Sequence, residues 1–393
     1  MAILFISNVV PDRVPYNGIG FSRSGNNVLL GIAKALPRSE SPVCLSCRPV
    51  ASFPKGPLWL RGEIVPLEDG RVVKILPTLN VKIIKNLFWG VFVRREIKAW
   101  SEKHPDNKRS VLVYNIYAPP ISWVFRACVR NACKLTAILY DLGVPPASLG
   151  LDRLTMSGYR VMEKEAKKYI PLLDGRVVVN EKIVDSYAPK ENFLLIDGGI
   201  NDAVVNRLFP LAVTPPGPLV LVLAGMLWEQ NGTGLILDCL KAHPELDVNV
   251  IFAGSGIDVP KIEDYSEKDR RVAYVGQLSP EALFKLYGQA DVLLNLRREE
   301  EVDFHFPSKL LEYLVTGKHV ISTPIAHTER DYGPYLSVLK DISADGLAEM
   351  IKTVMRRGKN ELYLQGVKAR RFMLETRRWC IRTAEIVQYM NGL

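Results

Sequence analysis

The strongest constraint on the fold is an alternation that runs through the chain twice. Short apolar runs are each followed by an amphipathic stretch: AILFIS by NNVLLGIAKAL, VLVYN by SWVFRACVR, KLTAILY by RLTMSGYRVMEKEAKKYI, and GRVVV by EKIVDSY. Apolar runs spaced by helical segments describe a parallel sheet wrapped by helices. Turn-forming residues then crowd into Phe209-Pro-Leu-Ala-Val-Thr-Pro-Pro-Gly-Pro218, a density that predicts a linker. Beyond it the alternation resumes with LVLVLAG, VNVIFAGSG, RVAYVG and DVLLN, three of which end in glycine. The expected fold class is therefore α/β with two doubly wound, Rossmann-like domains, one over residues 1–210 and one over 211–360. A helical tail spans 361–393. A chain of 393 residues also exceeds the size at which one core usually stops growing.

In a doubly wound domain the ligand sits at the carboxyl ends of the strands. Gly225, Gly254 and Gly276 fall there in the second domain, where they either admit close approach of a ligand or neighbouring backbone, or simply turn the chain.

Composition narrows the partners. With 48% hydrophobic and 24% charged residues, no stretch is polar enough to stay disordered. A net charge of +9 favours anionic partners: nucleic acid, acidic lipid headgroups or phosphorylated small molecules. The aromatic and basic residues form no nucleic-acid module, so nucleic acid is not expected as a partner. No secretory leader is evident in MAILFISNVVPDRV, and the six cysteines suit a reducing cytosol. Cys44 and Cys47 have redox-motif spacing and, with Cys128 and Cys133, enough thiols for zinc. No histidine lies near them, so buried thiols are expected and no metal. The longest apolar runs fall short of a membrane span, which leaves peripheral contact.

The segment FPSKLLEYLVTGKHVIST carries the most specific chemistry. Proline at its start, good helix formers through its middle and a glycine at its end predict a helix from Pro307 to about Thr316. At about 100° per residue, Lys309, Glu312, Tyr313 and Thr316 share one face, with Leu310, Leu311, Leu314 and Val315 opposite. The exposed start of such a helix offers unpaired amides and the positive end of a dipole, and Lys309 adds a full charge, which together suit a pyrophosphate. One turn on, Glu312 can accept hydrogen bonds from both hydroxyls of a ribose. A surface ion pair between Lys309 and Glu312 accounts for the same two residues without a ligand.

Together with VNVIFAGSG, RVAYVGQLSPEALFKLYGQADVLLN and GLAEMI, this segment resembles glycosyltransferase family 4, across roughly residues 217–351. The resemblance implies a GT-B architecture, in which two Rossmann-like domains face each other across a cleft and terminal helices cross back to the first domain. It also implies a retaining enzyme that takes a sugar from a nucleotide-diphosphate donor, a UDP-sugar foremost, with no separate cofactor. By the same resemblance Glu312 binds the donor ribose, Ser308 and Lys309 face the diphosphate, and Gln277 and Leu278 lie near the base. Two positions depart from the family pattern. A glutamate that contacts the donor sugar is replaced by Phe304, leaving Asp303, Glu301 or His305 beside it as substitutes. The loop from Gly225 to Gly232 lacks the usual arginine and lysine, so that Lys309, with Arg297 or Arg298, would bind phosphate instead.

The first half adds further candidates. The loop Asn17-Gly-Ile-Gly20-Phe-Ser-Arg-Ser-Gly25 precedes a helix, a phosphate-friendly arrangement through Gly18 and Gly20, although it fails as a dinucleotide fingerprint. The resemblance places this loop opposite the donor. Asp141 in LYDLG either orients the acceptor or sugar, as a catalytic residue alongside Lys309, or caps a turn. The segment from Val81 to Trp100 has five basic residues to one acidic, mixed with aromatics. Either it lies on anionic lipid through Lys82, Lys85, Trp89, Arg94 and Arg95, or it is a buried helix whose charged ends reach water.

The expected function is thus sugar transfer to a lipid-linked or polysaccharide acceptor in bacterial surface glycan synthesis, capsule or O-antigen, at the cytoplasmic face of the plasma membrane. The lack of a clear Asp-x-Asp site predicts turnover without added metal. A sugar-nucleotide epimerase of the same fold and a non-enzymatic basic anion-binding protein are the alternatives.

Overall fold

A computed structural model describes residues 1–11, 23–37, 43–140, 142, 153–188, 192–297, 304 and 306–393. Its first part comprises β1 (Ala2–Ser7), α1 (Arg23–Ala35), β2 (Val43–Ser46), β3 (Trp59–Leu60), β4 (Glu63–Pro66), β5 (Val72–Ile75), β6 (Thr78–Leu79), α2 (Ile84–Lys103) and β7 (Arg109–Tyr114). There follow α3 (Ile121–Arg130), β8 (Lys134–Leu139), α4 (Arg153–Tyr169), β9 (Gly175–Val178), α5 (Lys182–Tyr187), β10 (Leu194–Leu195) and α6 (Asp202–Val205). The second part comprises β11 (Leu219–Met226), α7 (Thr233–Ala242), β12 (Val248–Ser255), α8 (Val259–Lys268), β13 (Val272–Tyr274), α9 (Pro280–Gln289) and β14 (Val292–Asn295). It ends with α10 (Ser308–Thr316), β15 (His319–Ser322), α11 (Thr328–Tyr332), β16 (Ser337–Val338), α12 (Ala344–Thr376) and α13 (Trp379–Gly392).

The first sheet runs β10-β9-β8-β7-β1-β2-β5-β4. It is parallel except at its edge, where β4 pairs with β5 in antiparallel register. The second sheet runs β13-β12-β11-β14-β15-β16 and is parallel throughout. The apolar runs of the sequence are strands of the two sheets, RVAYVG being the edge strand β13, and every residue of β1, β9, β14 and β15 is buried. In the second sheet Leu221, Leu223, Val250 and Phe252 pack with Leu237 and Leu240 of α7 and with Ile351 and Val354 of α12 into one core.

The chain divides into two compact units, Met1–Gly199 with Trp379–Leu393, and Ile200–Arg378. The divisions fall at 199/200 and 378/379, whereas the sequence suggested 210/211 and 360/361. The proline-rich stretch is the reason for the first shift, because it belongs to the second unit instead of linking two. The Phe209 ring lies 5.3 Å from the Arg370 guanidinium and 5.6 Å from the Lys318 ammonium, and Lys359 Nζ donates to Pro215 O at 2.7 Å. At the other end α12 stays with the second unit, bending at Gly358, whose φ of 73° is left-handed. Only α13 returns to the first unit. There Trp379 covers Gly199 so closely that a Cβ would come within 2.6 Å of its indole, and the Tyr389 hydroxyl donates to Asn192 O at 3.0 Å.

Cys44 lies within β2 and Cys47 just beyond it, and both are buried. Burial pushes the Cys44 thiol up to about 12 and raises that of Cys47 further, so neither is poised as a thiolate. Among the described residues, no helix is long and apolar enough to cross a membrane.

Candidate functional site

The carboxyl edge of the second sheet is formed around glycine. Parallel register sets Gly225 beside Gly254, and the Gly254 amide donates to Gly276 O at 2.8 Å. Gly254, at φ 141°, leaves no room for a side chain, since a Cβ there would lie 1.9 Å from Gly225 O. Its role is close approach of neighbouring backbone. Gly225 and Gly276 also have positive φ, but an added Cβ would meet nothing within 4 Å at either among the described residues, so backbone crowding does not require glycine at these two.

Helix α10 follows β14 and starts at this edge. Among the described residues no side chain caps its start at Pro307, and it closes on Gly317 at φ 72°, the left-handed conformation that glycine supplies without strain. Leu310, Leu311, Leu314 and Val315 are all buried, as the helical spacing required. Tyr313 and Thr316, expected on the polar face, are buried as well, at 1% and 0% exposure. The accessible face therefore narrows to the first turn and a half: Ser308, Lys309 and Glu312.

Tyr313 is inside because its hydroxyl is used inside. It donates to Ala224 O and accepts from the Ala224 amide, each at 3.1 Å, which fastens α10 to the last residues of β11. Tyr287 of α9 stands against Tyr313 edge to face, with ring centroids 5.5 Å apart. Its hydroxyl donates to Glu312 Oε1 at 3.1 Å. Lys309 Nζ donates to the same oxygen at 2.7 Å and lies 5.6 and 5.8 Å from the two tyrosine rings, within cation–π reach. Burial raises the pKa of both phenols well above the ordinary tyrosine value. Both are thus neutral donors at any physiological pH. The ion pair that the sequence allowed does exist, but it rests on an aromatic floor that fixes the Glu312 carboxylate.

The far end of α10 is held by a cation. Arg370 of α12 donates to Val315 O at 3.1 Å, to Phe209 O at 2.8 Å and to Thr316 O. Positive charge at a helix C-terminus complements the dipole there. Burial pulls the Arg370 pKa down to about 10, which leaves it charged at neutral pH. The two helices cross in backbone contact, since a Cβ on Gly366 would lie 1.9 Å from Gly317 O.

The other expected residues lie on neighbouring segments of the second unit. Gln277 and Leu278 lie between β13 and α9, whose first turn Ser279 caps by accepting from Ala282 N at 3.2 Å. Arg297 lies two residues beyond β14, and its carbonyl accepts from the Thr323 hydroxyl. Phe304 is buried at 5% exposure, and Phe306 stacks on His327 at 4.9 Å. The loop after Gly225 has no cation, and its Glu229 carboxylate lies against Gly234, where a Cβ would be 2.1 Å from Oε2. An acid at the start of α7 complements the positive end of that helix's dipole. Gly18, Gly20, Asp141, Asp303 and His305 lie outside the described residues.

The residues expected on the membrane side separate into two groups. Trp89 is 2% exposed and donates from Nε1 to Thr78 Oγ1 at 2.8 Å. Lys85 Nζ donates to Val50 O at 2.9 Å and sits 5.8 Å from the Trp89 ring, with burial lowering its pKa. Neither side chain belongs to an outer face. Trp89, Val93, Ile97 and Trp100 make the inner face of α2, while Lys82, Arg94 and Arg95 are exposed.

Residues 218–357 match the family model described as Glycosyl transferases group 1, a span that contains the glycine edge and the whole of α10. Solved structures agree with the fold over the full length. HepE of Anabaena in complex with UDP is 14% identical, with all of both chains covered and a TM-score of 0.66. The chain is a glycosyltransferase of GT-B fold. A glycosyltransferase from Rickettsia africae is 15% identical over 99% of this chain and 98% of its own, with a TM-score of 0.67. Sucrose-phosphate synthase from Thermosynechococcus elongatus is 14% identical over 100% and 99%, with a TM-score of 0.64. No curated protein sequence matches the enzyme. Sequence reasoning singled out Lys309 and Glu312 in this glycosyltransferase but not Tyr287 or Arg370, which the fold brings to the same helix. The sequence around Tyr287, FKLYGQ, shows only an aromatic residue on a core-facing helix, and Arg370 is one of many basic residues in the tail.

Proposed function

We propose that the enzyme is a retaining transferase that moves a sugar from a UDP-sugar to a lipid-linked or polysaccharide acceptor in bacterial surface glycan synthesis, capsule or O-antigen. The observation that carries the donor part is α10, a helix start at the sheet's carboxyl edge with no side-chain cap among the described residues, with Lys309 in its first turn and Glu312 oriented by Tyr287. The diphosphate would lie at the helix start, where amides and Lys309 stabilise charge as the sugar–oxygen bond breaks. The ribose hydroxyls would donate to Glu312. Ser308 and Arg297 would add phosphate contacts, Gln277 and Leu278 would border the base, and Gly225 would let the donor close on the edge. HepE of Anabaena, which shares the fold, was crystallised with UDP, and this is why uridine is the base proposed.

Attack by an acceptor hydroxyl releases its proton, and an oxygen of the departing diphosphate can take it. No side chain is assigned as covalent nucleophile. Asp141 would orient the acceptor or the sugar in this scheme, and Asp303, Glu301 or His305 would contact the sugar in place of the glutamate that Phe304 replaces. The enzyme would work at the cytoplasmic face of the plasma membrane as a peripheral protein, without added divalent metal. A panel of nucleotide sugars, scored for nucleotide release with and without a glycan acceptor and in EDTA, tests this. Binding or release with none of the donors refutes the proposal, and conversion of the sugar without release would instead indicate an epimerase.

A further inference from the structure

The outer face of α2 is apolar for two turns and basic for the next two. Ile84, Leu87 and Val91 are exposed at 45%, 50% and 38%. At about 100° per residue these positions fall within one narrow sector, and Arg94, Arg95 and Lys98 continue the same sector toward the C-terminus. All three basic residues are exposed. The buried face explains why the helix is oriented this way: Trp89, Val93, Ile97 and Trp100 point inward, so the opposite stripe is left in water.

A short ribbon extends the apolar half. Strands β3 and β6 pair with Trp59 opposite Leu79. The Asn80 side chain donates to Ala51 O at 2.7 Å and to Pro57 O at 2.9 Å, which ties the 51–58 loop to the ribbon. This loop and ribbon present Phe53 and Trp59 at 52% and 50% exposure. Trp59 meets Phe88 of α2 edge to face at 5.8 Å, so ribbon and helix form one continuous surface. Large apolar side chains at this exposure, contiguous and bordered by cations, cost free energy in water unless something covers them.

Charge decides what covers them. Lys82, Arg94, Arg95 and Lys98 border the apolar residues, whereas the acids of the helix are engaged: Glu96 accepts from Lys74 Nζ at 2.7 Å and Glu102 is 3.8 Å from Lys98. An apolar centre with a basic border fits the acyl–headgroup boundary of an anionic bilayer. We propose that this face, Phe53 and Trp59 on the ribbon with Ile84, Leu87 and Val91 on α2, inserts shallowly into an anionic membrane while Arg94, Arg95 and Lys98 hold the headgroups. The inference deepens the proposed lipid-linked acceptor by giving the enzyme a docking surface, and it assigns that role to residues other than Trp89 and Lys85, which face inward.

Co-sedimentation with phosphatidylcholine vesicles carrying phosphatidylglycerol, or with phosphatidylcholine alone, tests the proposal on the whole chain. Binding is expected only with the anionic vesicles and should weaken as salt rises. The triple variant Arg94→Gln, Arg95→Gln, Lys98→Gln should bind more weakly by about fivefold per charge removed. The variant Trp59→Ser, Leu87→Ser should lose vesicle binding while keeping the wild-type circular dichroism and UDP affinity. Failure of the wild type to bind anionic vesicles, or binding that neither variant alters, overturns the docking surface. So does wild-type dimerisation that the Trp59→Ser, Leu87→Ser variant abolishes, which would make this face a contact between two copies. UDP affinity, measured separately, distinguishes failure of the docking surface from failure of the donor site.

Discussion

Replacing Glu312 with alanine separates a nucleotide site from a surface ion pair. In the structure Glu312 Oε1 accepts from Lys309 Nζ at 2.7 Å and from Tyr287 at 3.1 Å, and the two charged side chains are 32% and 27% exposed. An ion pair this accessible contributes at most about 1 kcal/mol to stability. Unfolding of Glu312→Ala should therefore shift little. Hydrogen bonds from ribose hydroxyls to a fixed carboxylate are charge-assisted and contribute about 1.5–3 kcal/mol, so UDP affinity should fall by about 10- to 100-fold. Calorimetric titration of UDP against 2′-deoxy-UDP sharpens the test. The wild type should bind the deoxy nucleotide about tenfold or more weakly, and the variant should bind both alike, because the acceptor of that hydroxyl is gone. If Glu312→Ala binds UDP as the wild type does, or still prefers the ribonucleotide, then Glu312 does not hold the ribose and the ion pair is only structural.

Three further outcomes follow from the same geometry. Arg370→Met removes three hydrogen bonds to carbonyl groups around the end of α10 and should destabilise the second unit by about 3 kcal/mol, seen as a lower urea midpoint; Arg370→Lys should not restore it, because an ammonium cannot fork to three acceptors. Gly254→Ala should abolish soluble expression, since its Cβ would lie 1.9 Å from Gly225 O, whereas Gly276→Ala, with φ 73° but open space around it, should cost only about 1 kcal/mol in thermal unfolding. His319 is buried on β15 with its pKa lowered to about 3, chiefly by burial, and its Nε2 is 3.0 Å from Ser337 Oγ. A histidine that takes up its proton only in the unfolded chain contributes stability above about pH 6.5 that is lost progressively toward pH 3. His319→Gln should accordingly lose less stability than the wild type between pH 7 and 5, by about 1–2 kcal/mol, measured in paired urea titrations.

What the sequence determined by itself was periodic and local. The apolar runs gave strands of both sheets, and the spacing in FPSKLLEYLVTG gave α10 with its capping glycine, its buried leucines and the adjacency of Lys309 and Glu312. Each of these depends on residues within a turn or a strand of one another, where backbone geometry alone sets which side chains share a face. Tertiary structure decided what lies across from those faces. Tyr313 and Thr316 sit on the polar side of α10 by spacing, yet they are buried because β11 and the body of the second unit approach there. Tyr287 reaches Glu312 from a helix 25 residues earlier in the chain, and Arg370 reaches Val315 from 55 residues later. In α2 the mixture of aromatic and basic residues gave no single amphipathic face. Packing against β6 and the Val50 carbonyl turned Trp89 and Lys85 inward and left Ile84, Leu87 and Arg94 outside. Hydrogen bonds and burial between distant segments have no period along the chain, so the partners that fix the carboxylate and the faces left in water are apparent only once the chain is folded.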